Sequence, residues 1–361
     1  MRILITGGAG FIGSHLADDL LAQGHQVRAL DTLAAQVHGS NGDRPAYLNG
    51  EVELQRGDVR DREAVRRALT GVDAVYHLAA AVGVGQSMYE VEHYTSVNNF
   101  GTAVLLEALI ERPVQRLVVA SSMSIYGEGL SRTPDGRIVA GAERSLDQLR
   151  RGDWELRTDD GQPLEPIPTH EGKTPSLASV YALSKYDQER LCLMVGRAYG
   201  IPTVALRFFN VFGTRQALSN PYTGVLAIFA ARLINRNRPL VFEDGLQQCD
   251  FVHVSDVARA CRLALEAEAA VGQAVTVLRV AELLAGVLGV DVEPEVCGKY
   301  RVGDIRHCVG DIARARQWLG YEPQVSLEEG VIELAGWLDG QVADDRVAEA
   351  RAQLAARGLT V

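Results

Sequence analysis

The first half of the chain alternates between short apolar runs and longer segments in which apolar and polar residues are mixed. The apolar runs are rich in β-branched residues and are typical of strands buried on both faces of a parallel sheet. They comprise Arg2–Thr6, Gln26–Leu30, Val52–Val59, Ala74–Ala80 and Arg116–Ala120. The mixed segments predict helices at about Ser14–Ala22, Arg62–Leu69 and Thr95–Glu111. This order predicts an α/β fold built on a doubly wound parallel sheet.

A glycine-rich turn joins the first predicted strand to the first predicted helix. Gly7, Gly10 and Gly13 are spaced three residues apart, and Phe11 and Ile12 lie between the last two. Glycines permit a tight turn and close approach of the backbone, and the N–H groups at the helix N-terminus can hold a pyrophosphate. Strand, turn and helix together predict a dinucleotide site in a Rossmann-type domain.

The second predicted strand ends in an acid, Asp31. Its distance from the glycine turn is the one expected of a carboxylate that binds the ribose diol, the alternative being a turn or helix cap. A carboxylate there would repel a 2′-phosphate, and no Arg or Lys occurs between Thr32 and Asp43. The sequence therefore favours NAD over NADP.

The ends of the next three strands carry residues suited to a ligand site. They are Asp58 and Val59 after the third strand, Leu78, Ala79 and Ala80 after the fourth, and Ser121, Ser122 and Ser124 after the fifth. Ligands of open parallel sheets bind outside the carboxyl ends of the strands. We expect the adenine near the third strand, and the small residues of the fourth allow a cofactor to pass closely.

A tyrosine and a lysine stand four residues apart, at Tyr181 and Lys185, in a segment with helical periodicity. Residues at this spacing share one helix face. An ammonium group beside a phenol favours the phenolate, so the tyrosine can act as a base. The pair alone is common on solvated helix faces; the dinucleotide motif upstream is what favours a catalytic interpretation.

Composition and charge exclude several classes of function. The chain has 361 residues, is 47% hydrophobic and carries a net charge of −10, which argues against a nucleic-acid partner. No apolar run is long enough to span a membrane. Five cysteines without Cys-x-x-Cys spacing favour reduced thiols and a cytoplasmic location.

These motifs stand in a shared order across nearly the whole chain, which resembles the extended short-chain dehydrogenases/reductases of the NAD-dependent nucleotide-sugar epimerase/dehydratase family. The segments that carry the resemblance are Thr6–Leu16, Gly57–Val59, His77–Ala80, Asn98–Thr102, Ser121–Gly127, Tyr181–Lys185, Arg207–Val211 and Asp250–Val254. Within the family the chain is most similar to dTDP-L-rhamnose 4-epimerase-like proteins, and UDP-glucose 4-epimerase-like proteins share the core motifs.

The resemblance implies a role for each site residue. Tyr181 takes the proton of the sugar 4-hydroxyl while hydride passes from C4 to NAD, Lys185 lowers the tyrosine pKa and holds the nicotinamide ribose, and Ser122 binds the reacting oxygen. The implied NAD contacts are Gly7, Gly10, Phe11, Ile12, Gly13, Asp31, Asp58, Val59, Leu78, Ala79, Ala80, Asn98, Tyr181 and Lys185. The implied substrate contacts are Gly83, Ser87, Ser122, Ser124, Asn210, Val225 and Arg301.

The residues after Ser122 discriminate among the reactions of the family. Related 4,6-dehydratases carry an Asp-Glu pair there, whereas this chain has Met123 and Ser124. Nucleotide glucuronate decarboxylases usually have Glu in place of Ser124. The resemblance therefore implies 4-epimerisation of a dTDP- or UDP-hexose. A 4-ketoreductase, a UDP-glucuronate 4-epimerase or decarboxylase, and a catalytically inactive nucleotide-binding protein remain as alternatives.

Family order also predicts the domains. Residues 1–210 and 251–272 form the NAD domain, with an insert at 128–178, and residues 211–250 and 273–361 form a smaller C-terminal α/β domain for the nucleotide sugar. The insert is rich in turn residues and is expected to be a lid, an exposed elaboration or an oligomer contact. Its lone His170 predicts no metal site.

Further expectations concern the second half of the chain. Phe242–Gly245 predicts a hairpin, and the tail from Gly340 predicts an amphipathic helix. Cys249 replaces the arginine that the family usually has before Asp250, and Arg306 is expected to assist Arg301 or to lie on the surface. A strand and a glycine-rich turn that the family has before a helix at 275–283 are expected to be missing. Helices near 96–111 and 178–198 are expected to form a homodimer, as in the family.

Overall fold

The structure is a computed structural model that describes residues 1–222, 224–277 and 295–360. Its strands are β1 (Arg2–Thr6), β2 (Gln26–Asp31), β3 (Glu53–Arg56), β4 (Ala74–His77), β5 (Arg116–Ser122), β6 (Leu130–Arg132), β7 (Ile138–Ala140), β8 (Glu165–Ile167), β9 (Thr203–Phe208), β10 (Asn210–Phe212), β11 (Leu240–Val241), β12 (Gln248–Cys249), β13 (Phe251–His253), β14 (Ala274–Val277), β15 (Glu295–Val296) and β16 (His307–Cys308).

The α-helices are α1 (Phe11–Ala22), α2 (Ala35–His38), α3 (Arg62–Ala68), α4 (Val84–Ser87), α5 (Val91–Tyr94), α6 (Gly101–Glu111), α7 (Leu146–Arg150), α8 (Val180–Tyr199), α9 (Val225–Ile234), α10 (Val254–Glu266), α11 (Leu327–Leu338) and α12 (Val347–Ala356). A π-helical segment at Thr95–Phe100 leads into α6, and another spans Ala315–Leu319. Short 3-10 helices span Met123–Tyr126 and Glu268–Ala270. No helix among the described residues is both long and apolar enough to cross a bilayer.

A parallel sheet of seven strands, in the order β14–β9–β5–β4–β1–β2–β3, organises the molecule. Successive side chains of a strand point to opposite faces, so Ile3 and Ile5 pack with α1 and α10, whereas Leu4 packs with α3, α6 and α8. Both faces of the sheet are therefore covered by helices, which confirms the predicted doubly wound α/β fold.

The sheet corrects one expectation. A helix was expected at residues 275–283, with no strand before it, but Ala274–Val277 form β14 and pair in parallel with Ala205–Phe208 of β9. The run is apolar and β-branched, and the full burial of Val275, Thr276 and Val277 favours a strand. The rest of the expected helix, residues 278–283, lies outside the described residues.

A second group of elements lies beyond β9. Short parallel pairs, β10 with β13, β11 with β15 and β12 with β16, combine with α9, α11 and α12. Phe212, Leu226, Phe251, Val331 and Leu334 form its apolar core. The hairpin expected at Phe242–Gly245 is wrong, because β11 and β12 pair with strands far downstream instead of with each other. The predicted domain boundaries stay a prediction, except that β14 belongs to the large sheet.

The insert at 128–178 has structure of its own. Strands β6, β7 and β8 form a small antiparallel sheet. Backbone hydrogen bonds join it to the second group of elements: Gly129 donates to the His307 carbonyl at 2.7 Å and Thr169 to the Val309 carbonyl at 2.7 Å. The insert is thus fastened to the C-terminal part of the chain.

Candidate active site

The glycine turn between β1 and α1 leaves no room for side chains. Gly7 has φ +72°, and a Cβ on it would lie 2.9 Å from the backbone nitrogen of Ala79. A Cβ on Gly13 would lie 2.4 Å from the Gly7 carbonyl oxygen. Gly10 is the N-cap of α1, and Phe11 and Ile12 form its first turn. This bare backbone at a helix N-terminus fits a dinucleotide pyrophosphate.

Asp31, at the end of β2, faces this turn. Its carboxylate accepts hydrogen bonds from the backbone nitrogens of Ala9, at 3.1 Å, and Leu33, at 2.9 Å. Nε2 of His38 lies 3.7 Å from the same carboxylate, and the Tyr47 hydroxyl donates to the Ala9 carbonyl at 2.9 Å. Each carboxylate oxygen keeps a free lone pair, which suits a ribose diol.

The other predicted cofactor residues lie along the same edge of the sheet. Asp58 forms an ion pair of 2.7 Å with Arg60, and Val59 is buried in contact range of Gly101. Leu78, Ala79 and Ala80 follow β4. Asn98, in the π-helical segment, accepts from the Ala81 nitrogen at 2.7 Å and donates to Oγ of Ser184 at 2.9 Å. Its amide therefore fixes the end of β4 to α8.

Ser122 ends β5, and Tyr181 and Lys185 lie on the first turns of α8, which Ser179 caps. Burial raises the pKa of Tyr181, and a hydrogen bond with Ser122 opposes that shift. Burial lowers the pKa of Lys185 to about 8. Ser122 and Tyr181 are thus brought together, whereas the Lys185 ammonium donates to Oε1 of Gln188, at 2.5 Å.

Ser124 and Ser87 support this group through hydrogen bonds. The Ser122 hydroxyl accepts from the Ser124 nitrogen and donates to the Ser124 hydroxyl, both at 3.2 Å. The fully buried Ser87 hydroxyl accepts from the Tyr181 nitrogen at 3.0 Å and donates to the Val84 carbonyl at 2.6 Å. Ser87 therefore orients the start of α8.

Gly83 and Arg301 both lie beside α4, and Gly83 is its N-cap. Gly83 has φ +142°, and a Cβ on it would lie 2.9 Å from the Tyr94 hydroxyl, whose ring packs edge-on against Tyr181. A Cβ on Gly85, in α4, would lie 3.2 Å from Cδ of Arg301. Nε of Arg301 donates to Asp304 at 2.9 Å.

The remaining predicted substrate residues lie in the second group of elements. Asn210 donates to the Asp250 carbonyl at 2.9 Å, and Val225 is the first residue of α9. Burial raises the pKa of the Cys249 thiol to about 12, so it stays neutral.

Arg306 is neither a surface residue nor a free partner for an anion. It is fully buried, and its guanidinium pairs with Glu243 at 2.6 Å, with Asp244 at 2.9 Å and with Glu155. Arg144 pairs with the same Glu243 at 2.9 Å. Three carboxylates around one guanidinium would repel a diphosphate, so this expectation is corrected.

Sequence reasoning also missed two buried groups near the predicted catalytic residues. Glu189 pairs with Arg207 at 2.7 Å and accepts from the Ser121 hydroxyl at 2.6 Å, which joins α8 to β9 and β5. Gln188 contacts Lys185 directly. The only signal for Gln188 was its place three residues after Lys185, on the same helix face.

Comparisons with known proteins agree with this geometry. The model of the NAD dependent epimerase/dehydratase family matches residues 3–145 and 159–277. A dTDP-L-rhamnose 4-epimerase of Burkholderia thailandensis is 36% identical over 351 residues, covering 93% of this chain and 94% of its own.

Solved structures give the same result. A UDP-glucose 4-epimerase of Thermotoga maritima, solved with UDP-glucose, superimposes with a TM-score of 0.76 at 30% identity, covering 94% of this chain and 99% of its own. A UDP-glucose 4-epimerase of Thermus thermophilus, solved with NAD, gives a TM-score of 0.71 at 30% identity, covering 95% and 100%. The chain belongs to the NAD-dependent epimerase/dehydratase family.

Proposed function

We propose that this protein is an NAD-dependent nucleotide-sugar 4-epimerase that acts on a dTDP- or UDP-hexose. The observation that carries the proposal is the group at the start of α8. There Tyr181 lies close enough to Ser122 for that hydroxyl to oppose the rise in the tyrosine pKa, and it shares a helix face with the buried Lys185, at the sheet edge that also holds the glycine turn. The relatives' names, dTDP-L-rhamnose and UDP-glucose 4-epimerase, support this substrate class.

The residues present fit NAD. The bare backbone of Gly7, Gly10 and Gly13 would hold the pyrophosphate, Asp31 the adenosine ribose, and Lys185 the nicotinamide ribose. NAD, when bound, supplies a hydride acceptor at the sugar C4 and later a hydride donor. The other NAD contacts that the sequence predicts, among them Asp58, Val59 and Asn98, remain part of this proposal.

Side chains of the protein transfer the proton of the sugar hydroxyl. Tyr181 takes the proton of the sugar 4-hydroxyl and returns it when the hydroxyl forms again, while the Ser122 hydroxyl binds the same oxygen. A phenol with a pKa raised by burial is rarely ionised near neutral pH, so the mechanism needs nearby positive charge to stabilise the phenolate, and the Lys185 ammonium is the group the chain provides. The net reaction inverts C4 and changes no oxidation state.

The residues beside Ser122 favour epimerisation over the other family reactions. Met123 is buried and has no proton to exchange, and Ser124 is hydrogen-bonded to Ser122. Related dehydratases carry an Asp-Glu pair here and related decarboxylases usually a Glu in place of Ser124, and this chain has neither. Gly83, Ser87, Asn210, Val225 and Arg301 are proposed to shape the nucleotide-sugar site.

Proton NMR of the purified protein with four candidate sugars tests the proposal. dTDP-L-rhamnose, UDP-glucose, UDP-galactose and UDP-glucuronate are each incubated without added cofactor. A new anomeric signal from one of them is expected and identifies the substrate. Turnover only with added NADH and a 4-keto sugar would mean a ketoreductase, and silence under both conditions would exclude 4-epimerisation of these four sugars.

Tyr181→Phe is the matched variant for this experiment. It keeps the ring and removes the proton acceptor, so we expect a loss of turnover of at least about 100-fold. Unchanged turnover would show that Tyr181 is not the base.

We further propose a homodimer in the cytoplasm, formed through α6 and α8 with the π-helical segment. Apolar side chains on these helices are half exposed: Phe100 50%, Leu183 48%, Met194 52% and Tyr199 54%. Light scattering should give twice the chain mass of 39.1 kDa, and Leu183→Glu should halve it. A monomeric wild type would contradict the proposal.

The cytoplasmic location is supported by the five unpaired cysteines.

A further inference from the structure

A buried chain of hydrogen bonds runs from the predicted catalytic lysine to the core of the sheet. Nζ of Lys185 donates to Oε1 of Gln188 at 2.5 Å, and Nε2 of Gln188 donates to Oγ1 of Thr102 at 2.9 Å. Oγ1 of Thr102 also lies 2.9 Å from Nε2 of His77, whose Nδ1 lies 2.8 Å from Oγ1 of Thr6. Gln188 and Thr102 are fully buried, and Lys185 is 3% exposed.

The proton positions in this series of hydrogen bonds follow from the Thr102 hydroxyl. Thr102 donates its single hydroxyl proton to the Asn98 carbonyl at 2.5 Å, and a carbonyl can only accept. Its oxygen must therefore accept from both Gln188 and His77. His77 then carries its proton on Nε2 and accepts from Thr6 at Nδ1, which agrees with a pKa lowered by burial to about 3, so that the ring is neutral.

This proton order fixes the Gln188 side chain. A flipped amide would place its NH2 group against an ammonium, which has no acceptor, and its carbonyl against the Thr102 oxygen, which has no proton left, and against the Ala79 carbonyl oxygen at 3.5 Å. Nε2 of Gln188 also lies 3.3 Å from Nε2 of His77, so the ammonium and the Ala79 carbonyl decide the orientation. The carbonyl must therefore face Lys185. Residues from β1, β4, α6 and α8 cooperate to hold it there.

We propose that Gln188 is a positioning residue for Lys185, whose amide carbonyl binds one N–H of the ammonium and leaves the other two for the cofactor. The inference deepens the proposed function and rests on it for the role of Lys185. Gln188 touches neither NAD nor sugar in this assignment. It acts by holding the lysine in one orientation and by stabilising its charged form.

The other charged and titratable groups around Lys185 come from three elements. They are His77 on β4, Tyr181, Glu189 and Cys192 on α8, and Arg207 on β9, which neutralises Glu189. His77 is neutral, and burial raises the pKa of the Cys192 thiol to about 12. Gln188 is the group that bonds the Lys185 ammonium directly.

Lysine NMR tests this without relying on turnover. The chain contains three lysines, Lys173, Lys185 and Lys299, so protein labelled at the lysine ε-carbon gives three signals, assigned with Lys173→Arg and Lys299→Arg. The pH titration of Lys185 is followed in the wild type, in Gln188→Met and in Gln188→Glu, at matched NAD content. Cys192→Ala leaves a cavity on the same face of α8 and is the control for effects of altered packing.

The two variants are expected to move the Lys185 pKa in opposite directions. Gln188→Met removes the acceptor and lowers the titration midpoint by about one pH unit. Gln188→Glu places a carboxylate on the ammonium and raises it by roughly one to three pH units. Cys192→Ala should lower the melting temperature and leave the midpoint in place. Equal midpoints in all four proteins would overturn the proposal.

Two further readouts separate this inference from the proposed function. Gln188→Met should retain less NAD through gel filtration and should lower kcat, with KM for the sugar changed by no more than about twofold. If the wild type converts no nucleotide sugar, the proposed function fails, while the NMR midpoints still decide the role of Gln188. A Gln188→Met protein with wild-type NAD content and kcat would count against the positioning role.

Discussion

Gly7 and Gly13 lack side chains for different physical reasons. Gly7 has a positive φ that a substituted residue rarely adopts, whereas Gly13 is an ordinary helical residue pressed against the backbone of Gly7. Its Cβ would meet an oxygen at 2.4 Å, and a backbone oxygen cannot move aside without opening the turn. The second constraint is visible only in the folded chain.

We therefore expect Gly13→Ala to lose its cofactor. The methyl group should push Gly7 out of position and lower the NAD content of the purified protein by at least about tenfold. NAD released by acid and measured by absorbance checks this. Gly336→Ala, where a Cβ meets nothing within 4 Å, is the control and should keep full NAD content. Equal NAD in both variants would contradict the assignment of this turn.

One half-buried histidine, His15, and one buried histidine, His77, should make the protein sensitive to acid. Burial lowers the pKa of His15 to about 4 and that of His77 to about 3, against about 6.5 in an unfolded chain. At pH values between the folded and the unfolded pKa, the unfolded chain binds more protons than the folded protein does. The free energy of unfolding therefore falls as the pH falls below about 6.5. Each histidine contributes up to about 1.4 kcal/mol per pH unit.

Urea unfolding at pH 7 and pH 5 measures this effect. His77→Asn should show a smaller loss of unfolding free energy between the two pH values than the wild type. His93→Asn, at an exposed position, should match the wild type. The same loss in His77→Asn and wild type would mean that His77 is protonated in the folded state.

At this scale the sequence was informative wherever the chemistry is local. Tyr181 and Lys185 are one helical turn apart, and the glycine turn is a contiguous motif. Gln188 could not be predicted as a partner of Lys185, because the orientation of its amide depends on Thr6, His77 and Thr102, which are distant in sequence.

At the scale of elements, a buried ion cluster fastens the insert to the C-terminal part of the chain. Glu155 and Glu128 belong to the insert, and Arg306 and Glu243 belong to the C-terminal part of the chain. Removing one partner of such a cluster leaves buried charges unpaired, which costs far more than the net value of the pairs.

Arg306→Met is therefore expected to lower the free energy of unfolding by about 3–5 kcal/mol. Arg137→Ala, in the exposed Arg137–Asp135 pair of the same insert, should cost no more than about 1 kcal/mol. Urea midpoints of the two variants provide the comparison. If Arg306→Met unfolds at the wild-type midpoint, the insert is held by its backbone hydrogen bonds alone.

Element prediction failed where strand pairing is long-range. The prediction of a helix from Val275 did not take into account that β9 offers an open edge. An apolar β-branched run gains a ladder of hydrogen bonds on such an edge. The hairpin expected at Phe242–Gly245 failed likewise, since β11 and β12 find parallel partners more than 50 residues downstream. Periodicity cannot reveal either partner.

At the scale of the whole molecule, the C-terminal segment bridges the two parts of the chain. Gln353 of α12 accepts a hydrogen bond from the Tyr89 hydroxyl at 3.0 Å, and Arg357 stacks on the Tyr89 ring at 4.4 Å. The Val302 nitrogen donates to the Leu359 carbonyl at 3.0 Å. The tail from Gly340 was predicted as an amphipathic helix, but α12 begins only at Val347, and Val342, which was assigned to its apolar face, is 90% exposed. The position of α12 beside Arg301 was not predicted, because one apolar face does not specify its partner.

Leu354 gives this bridge a measurable consequence. It is 3% exposed, and its side chain and Cδ of Arg301 both lie within 3.3 Å of the place where a Cβ on Gly85 would stand. Leu354 therefore packs against the same residue of α4 as Arg301, the proposed diphosphate ligand, and we expect it to limit the movement of that arginine. Leu354→Ala should leave a cavity in this contact and raise KM for the nucleotide sugar by about threefold to tenfold, with NAD content unchanged.

Arg351→Ala, on the more exposed side of α12 and paired with Glu295, should keep the wild-type KM. Steady-state kinetics on the two variants decides the matter: equal KM values would mean that α12 stabilises the fold without shaping the substrate site.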